Sequence, residues 1–194
     1  ASIACGGGGG GGDGEEDVAT VGGETVTTAD GESVSVEAHN NWTEGSAMFA
    51  RFEGSGWNEQ ACSNTIDKFE AAVDAQANGE FAEALYMIGL THSRCGNEQE
   101  ARNFYNRALR ANEEMCKARV AIGLLDLEGG NQAGARQGFE RAVRDDPQCT
   151  SGYTNLAIMQ REQGGAQEEE ALRNLRRALA IESDYLPALS RLHI

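Results

Sequence analysis

The stretch LYMIGLTHSRCGNEQEARNFYNRALR, from Leu85 to Arg110, aligns without a gap on RVAIGLLDLEGGNQAGARQGFERAVR, from Arg119 to Arg144, at a separation of 34 residues. Gly89 falls on Gly123, Ala101 on Ala135, Tyr105 on Phe139, Arg107 on Arg141 and Ala108 on Ala142. A third copy, YTNLAIMQREQGGAQEEEALRNLRRALA from Tyr153 to Ala180, supplies Ala157, Ala171, Leu175 and Ala178, with two extra residues in its turn. A loop absorbs such an insertion at small entropic cost. Alanine-rich runs, charges at i and i+4, and the small-residue turns GNE, GGN and QGG predict two helices per copy. The small residue in the middle of each first helix lets its partner approach closely, and the aromatic fills the gap toward the next copy.

This period, with a small residue, a turn, then alanine, an aromatic and alanine, resembles the tetratricopeptide repeat. Pro147 stands where that family commonly has proline, while Glu113 and Ser183 depart from the pattern. NTIDKFEAAVDAQ, with Phe69 and Ala72, reads as the second helix of a degenerate copy, and LPALSRLHI as the first helix of another. The resemblance implies an all-α fold of antiparallel helical hairpins stacked into a right-handed superhelical solenoid. It divides residues 57–194 into a degenerate copy at 57–81, repeats at 82–115, 116–149 and 150–185, and a partial copy at 186–194. A chain that starts without Met and stops at SRLHI inside a helical pattern reads as a fragment.

Residues 1–20 read as a Gly-rich acidic linker, a composition that cannot bury enough apolar area to offset the entropy of ordering. Residues 21–56 read as irregular or a short hairpin, with Asp30 and Gly31 in ETVTTADGESVSVEA placed to turn between two extended pieces. The formal charge is −15, and residues 1–50 carry nine acids with no Lys or Arg. That balance argues against nucleic acid or an anionic lipid surface as partner, since either needs a basic face. No apolar run is long enough to span a bilayer.

In the tetratricopeptide family the first helices line a concave surface that holds a peptide or helix of a partner, without catalysis. By register that groove would show Tyr86, Met87 and Leu90, then Val120, Leu124 and Leu127, then Asn155 and Ile158. The alternative is that neighbouring copies simply bury these residues. Family members that clamp a terminal carboxylate use Lys, Arg and Asn at those places, and only Asn155 fits, which argues against a heat-shock co-chaperone. Arg107, Arg110, Arg141, Arg144, Arg173, Arg176 and Arg177 on the second helices form either a stripe for an acidic partner or a solvated face.

Five cysteines remain. Cys62 and Cys95 lie 33 residues apart, as do Cys116 and Cys149. In a stacked array the start of one second helix, at Cys62, lies beside the end of the next first helix, at Cys95, near disulfide reach. Cys116 and Cys149 fall near equivalent points of adjacent copies, about 9–10 Å apart by helix packing, so a bridge there requires a local shift and buried free thiols are the alternative. A metal site from His92 and Cys95 lacks a second ligand pair. His39, His92 and His193 are scattered, and no nucleophile–base motif accompanies them. The glycine run lacks the Lys and Ser or Thr of a phosphate loop. No enzyme activity, metal or cofactor is therefore expected. Asn41, Trp42 and Thr43 spell a glycosylation sequon, relevant only in a eukaryotic source.

SIACGGGGGGGDGEED, from Ser2 to Asp17, gives Cys5 a role: Ile3 and Ala4 before the cysteine resemble the end of a bacterial lipoprotein signal, although Ser2 stands where leucine is usual. A spare cysteine in a low-complexity terminus is the alternative. With RCGN, GARQGFERAVRDDPQCTSGYTNLAIMQ and LRNLRRALAIESDYLPAL, the chain resembles the tetratricopeptide lipoproteins of the myxobacterial adventurous gliding-motility machinery. That resemblance implies an outer-membrane lipoprotein facing the periplasm, held by lipid on Cys5 and binding other subunits of an envelope complex for motility, pilus assembly or secretion. A cytosolic adaptor or chaperone-type regulatory protein with free thiols is the competing reading.

Overall fold

The computed structural model describes residues 25–29, 31–76, 79–165 and 167–192. Its elements are β1 (Thr25–Thr27), β2 (Ser33–Ser35), α1 (Val36–Ser55), α2 (Glu59–Asp74), α3 (Ala82–Arg94), α4 (Glu98–Ala111), α5 (Cys116–Glu128), α6 (Gln132–Asp145), α7 (Thr150–Gln163), α8 (Gln167–Ile181) and α9 (Leu186–Leu192). The described residues form two compact units, one ending at Asn112 and one beginning at Glu113.

In the first unit β1 and β2 pair antiparallel with Val26 opposite Val34, and Val34 is fully buried. Asp30 of the expected turn lies outside the described residues. Ser35 ends the hairpin and starts α1: its hydroxyl accepts from the Ala38 amide at 3.0 Å and donates to the Ala75 carbonyl at 3.0 Å. One side chain thus caps α1 and ties it to the end of α2. The reading of residues 21–56 as irregular or a short hairpin is corrected at Val36–Ser55, which is a 20-residue helix following the β1–β2 hairpin. The segment 57–81 is accordingly not the start of the helices, since α2 pairs with α1. Gly45 is what brings them together: a Cβ there would meet the Phe69 ring at 2.8 Å. Gly45 and Phe69 are 24 residues apart, whereas Gly89 and Tyr105 are 16 apart, so the longer first helix falls out of the 34-residue register.

The α3–α4 pair repeats this packing. A Cβ on Gly89 would meet the Tyr105 ring at 2.7 Å, and Ala101 and Ala108 are fully buried on the same seam. Gly96, at φ 79°, makes the turn between the helices in a conformation that favours glycine.

In the second unit α5 and α6 approach still more closely. A Cβ on Gly123 would lie 2.6 Å from the Phe139 ring, and one on Gly138 would lie 3.3 Å from the Gly123 Cα. Gly130, the counterpart of Gly96, again sits at φ 79°, and Asn131 after it caps α6 by accepting from the Gly134 amide at 3.0 Å. In α7–α8 the pair becomes Ala157 and Leu175, both fully buried, with the extra residues taken up at Gly164 and Gly165. Ala188 of α9 closes the cluster formed by Tyr153, Ala157, Ala171, Leu175 and Ala178.

Candidate functional site

Tyr86, Met87 and Leu90 lie half-buried on α3, with the Tyr86 ring 5.7 Å from that of Tyr105. In the second unit Val120 and Leu124 are each 5 % exposed, packed with Phe139, Leu156 and Met159, and Leu127 lies partly buried against the same cluster. Asn155 is 3 % exposed and donates to the Ser151 carbonyl of its own helix at 2.9 Å. Val120, Leu124 and Asn155 are therefore not open to a ligand: the α7 residues Leu156 and Met159 cover the two aliphatic side chains, and the Asn155 amide is spent on its own helix.

Ile158 differs. It lines a cleft of about 260 Å³ with Ala157, Leu175, Arg161, Glu162 and Arg191. Of its three apolar residues Ile158 is half-buried, while Ala157 and Leu175 lie fully buried behind it, and α7 and α9 bring charged side chains to its wall. The Arg161 guanidinium donates to the Arg191 carbonyl, joining the walls across a separation of 30 residues. Sequence register finds Ile158, but it misses Arg161 and Arg191, which meet only once α9 packs on α7.

The first unit carries a second cleft, about 340 Å³, beside the Cys62–Cys95 bridge. Trp57, Glu59, Arg94 and Asn97 share its wall with the two cysteines. Glu53 organises this corner by accepting from Trp57 Nε1 at 3.0 Å and from Arg94 Nε at 2.6 Å. Partial burial alone would raise the Glu53 pKa, but those two hydrogen bonds and the Arg94 charge outweigh it and hold the carboxyl below its usual range. Trp57 is fixed further by Phe49 and Phe52, at 5.1 and 5.6 Å between ring centres.

The Cα atoms of Cys62 and Cys95 are 6.2 Å apart, with Cys62 in the first turn of α2 and Cys95 closing α3. Cys116 and Cys149 are also bridged, at 5.6 Å between Cα atoms, well inside the 9–10 Å spacing expected for equivalent points. The sequence separation of 33 places Cys149 one residue ahead of register, just before α7. Room for its sulfur comes from Gly152, where a Cβ would approach Sγ of Cys149 to 2.8 Å. The Ser151 hydroxyl lies 3.6 Å from the Cys116 sulfur and 4.0 Å from that of Cys149.

The second-helix arginines have separate local roles. Arg107 stacks over Phe104 at 4.8 Å, Arg177 over Tyr153 at 5.5 Å, and Arg173 pairs with Glu169 and Glu170. Arg110, Arg141, Arg144 and Arg176 are exposed. Cys5 lies outside the described residues. Among the described residues no cluster of three or more His, Cys, Asp or Glu is placed to hold a metal, and no helix is long and apolar enough to cross a membrane.

Repeated helical hairpins, each closed by a small residue against an aromatic or leucine, define a helical-repeat architecture. The tetratricopeptide repeat family model matches residues 82–115, the α3–α4 hairpin. Among solved structures, YrrB, described as a TPR protein with an unusual peptide-binding site, is 22 % identical over 81 % of this chain and 75 % of its own, with a TM-score of 0.53. MamA of Desulfovibrio magneticus RS-1 is 15 % identical over 82 % of this chain and 83 % of its own, at 0.55. PilF of Pseudomonas aeruginosa is 13 % identical over 81 % of this chain and 68 % of its own, at 0.62. At these identities the likeness is one of fold: the chain has the fold of tetratricopeptide repeat proteins. No curated protein sequence matches it.

Proposed function

We propose that the chain is a non-catalytic scaffold that binds an apolar segment of a partner protein in the cleft at Ile158. The observation that carries this reading is the cleft itself: Ile158, half-buried and backed by the fully buried Ala157 and Leu175, is its apolar surface, with Arg161, Glu162 and Arg191 around it. A partly open apolar side chain ringed by polar groups suits an amphipathic segment, in which buried anchors supply affinity and charges at the edge orient it. YrrB, which shares the fold, is described as having a peptide-binding site, and this supports a peptide as ligand.

The scaffold works in the envelope of a Gram-negative bacterium as an outer-membrane lipoprotein facing the periplasm, anchored through Cys5 and joined to other subunits of a gliding-motility, pilus or secretion complex. Two disulfides support that placement, because such bridges persist in oxidising compartments. The Ser2–Cys5 stretch and the glycine run behind it supply an acylation site and a spacer. Diacylation of one cysteine provides the two chains that stable anchoring needs.

One experiment with two arms tests the proposal, using the chain expressed behind a lipoprotein signal. Cys5→Ala is expected to move the protein from the outer-membrane fraction to the soluble fraction, and a variant that still sediments in high salt contradicts the anchor. Ile158→Asp, with unchanged circular dichroism, is expected to lose the partner captured by the parent chain from envelope membranes by about tenfold or more, since a buried unpaired carboxylate costs several kcal/mol. Equal capture by both contradicts the cleft as the binding site.

A further inference from the structure

The two disulfides differ in access. Cys116 is partly exposed, but Cys149 is 1 % exposed within the cluster of Phe139, Leu156 and Met159, and the Ser151 hydroxyl lies against both sulfurs of that bridge. Cys62 and Cys95 are both partly exposed, and both line the open cleft of about 340 Å³ beside Trp57 and Asn97. That volume falls in the range of pockets that admit small molecules.

We propose that Cys62–Cys95 is a thiol–disulfide exchange site that takes a small-molecule thiol from the cleft and carries it as a mixed disulfide on Cys95. The incoming thiolate attacks the Cys95 sulfur and forms a new S–S bond. The Cys62–Cys95 bond breaks, and its electron pair leaves on Cys62, which remains a thiolate or takes a proton from water. A second thiolate attacking the mixed disulfide releases the oxidised small-molecule disulfide and leaves Cys95 reduced, so two thiols are oxidised as one protein disulfide is reduced.

The fold sets the direction of attack. Cys62 is the fourth residue of α2, one turn from its positive end, which stabilises a thiolate, although its own amide and that of Ala61 are already bonded to Asn58. Cys95 closes the C-terminal end of α3, where the helix end is negative. The better-stabilised thiolate leaves faster, so exchange expels Cys62 and retains the adduct on Cys95. The site does not depend on the proposed partner cleft, which lies in the other unit.

The test treats the native chain with 2-mercaptoethanol, quenches with an alkylating agent over time, and maps all four cysteines by mass spectrometry. Alkyl label on Cys62 with thiol adduct on Cys95 is expected to precede any label on Cys116 or Cys149 by about tenfold or more in rate, and to lose that lead in urea. Equal native rates, earlier opening of Cys116–Cys149, or a lead that survives in urea overturns the site, and adduct on Cys62 overturns the direction. Asn97→Trp, which adds bulk at the wall of the cleft, is expected to slow opening of Cys62–Cys95 about threefold or more while leaving the other bridge unchanged. An unchanged rate in that variant contradicts access through the cleft.

Discussion

His92 shows how a single side chain couples the first unit to pH. Its ring stacks on Phe104 at 5.4 Å and 21°, and its Nδ1 is buried without a hydrogen-bond partner. Burial holds its pKa below the ordinary 6.5, with the Glu100 charge pulling the other way. A lowered folded-state pKa means that the unfolded chain binds the proton more readily, so the contribution to stability is complete above 6.5 and is lost as pH falls through the folded-state value. The urea midpoint of the parent chain should therefore drop more between pH 7.5 and 5.5 than that of His92→Phe. Parallel slopes would contradict this coupling. Spacing alone places His92 on a helix, but its stacking on Phe104 appears only when α4 folds back on α3.

At the scale of the elements, the helix seams are where sequence and structure speak most directly to each other. The fixed interval singles out Gly89, Gly123, Tyr105 and Phe139, but read from sequence each aromatic points toward the next copy. In the structure each ring packs instead on the glycine of its own hairpin, where sterics leaves few residue types for a crossing this close. The same chemistry at Gly45 and Phe69 was hidden, because α1 is longer and the 24-residue interval breaks the register. Val120 and Leu124 mark another limit: register places them on a first helix, but only packing shows that Leu156 and Met159 cover them. The Glu53–Arg94 ion pair, 41 residues apart in sequence, leaves no periodic trace at all. The seam also yields a stability test. Gly123→Val forces side-chain atoms into the Phe139 ring and should cost about 1–3 kcal/mol by overpacking, read as a lower melting midpoint at unchanged helical content. The exposed Gly54, where a Cβ meets nothing within 4 Å, is the control position. Equal midpoints for valine at 54 and 123 would contradict the seam.

For the whole molecule, each unit carries one disulfide spanning 33 residues. Closing a loop of that length stabilises by about 4 kcal/mol in the chain-entropy picture, a large fraction of the stability of an ordinary domain. Such bracing suits the proposed role of holding a surface in place for a partner. Where that surface lies is tested most directly by installing a photo-crosslinking benzoylphenylalanine at Ile158 or, in a second sample, at the exposed Arg176. Irradiation in envelope membranes is expected to give a discrete partner adduct from position 158 and none from position 176. No adduct from 158, or the same adduct from both positions, would contradict the cleft as the place where the partner binds.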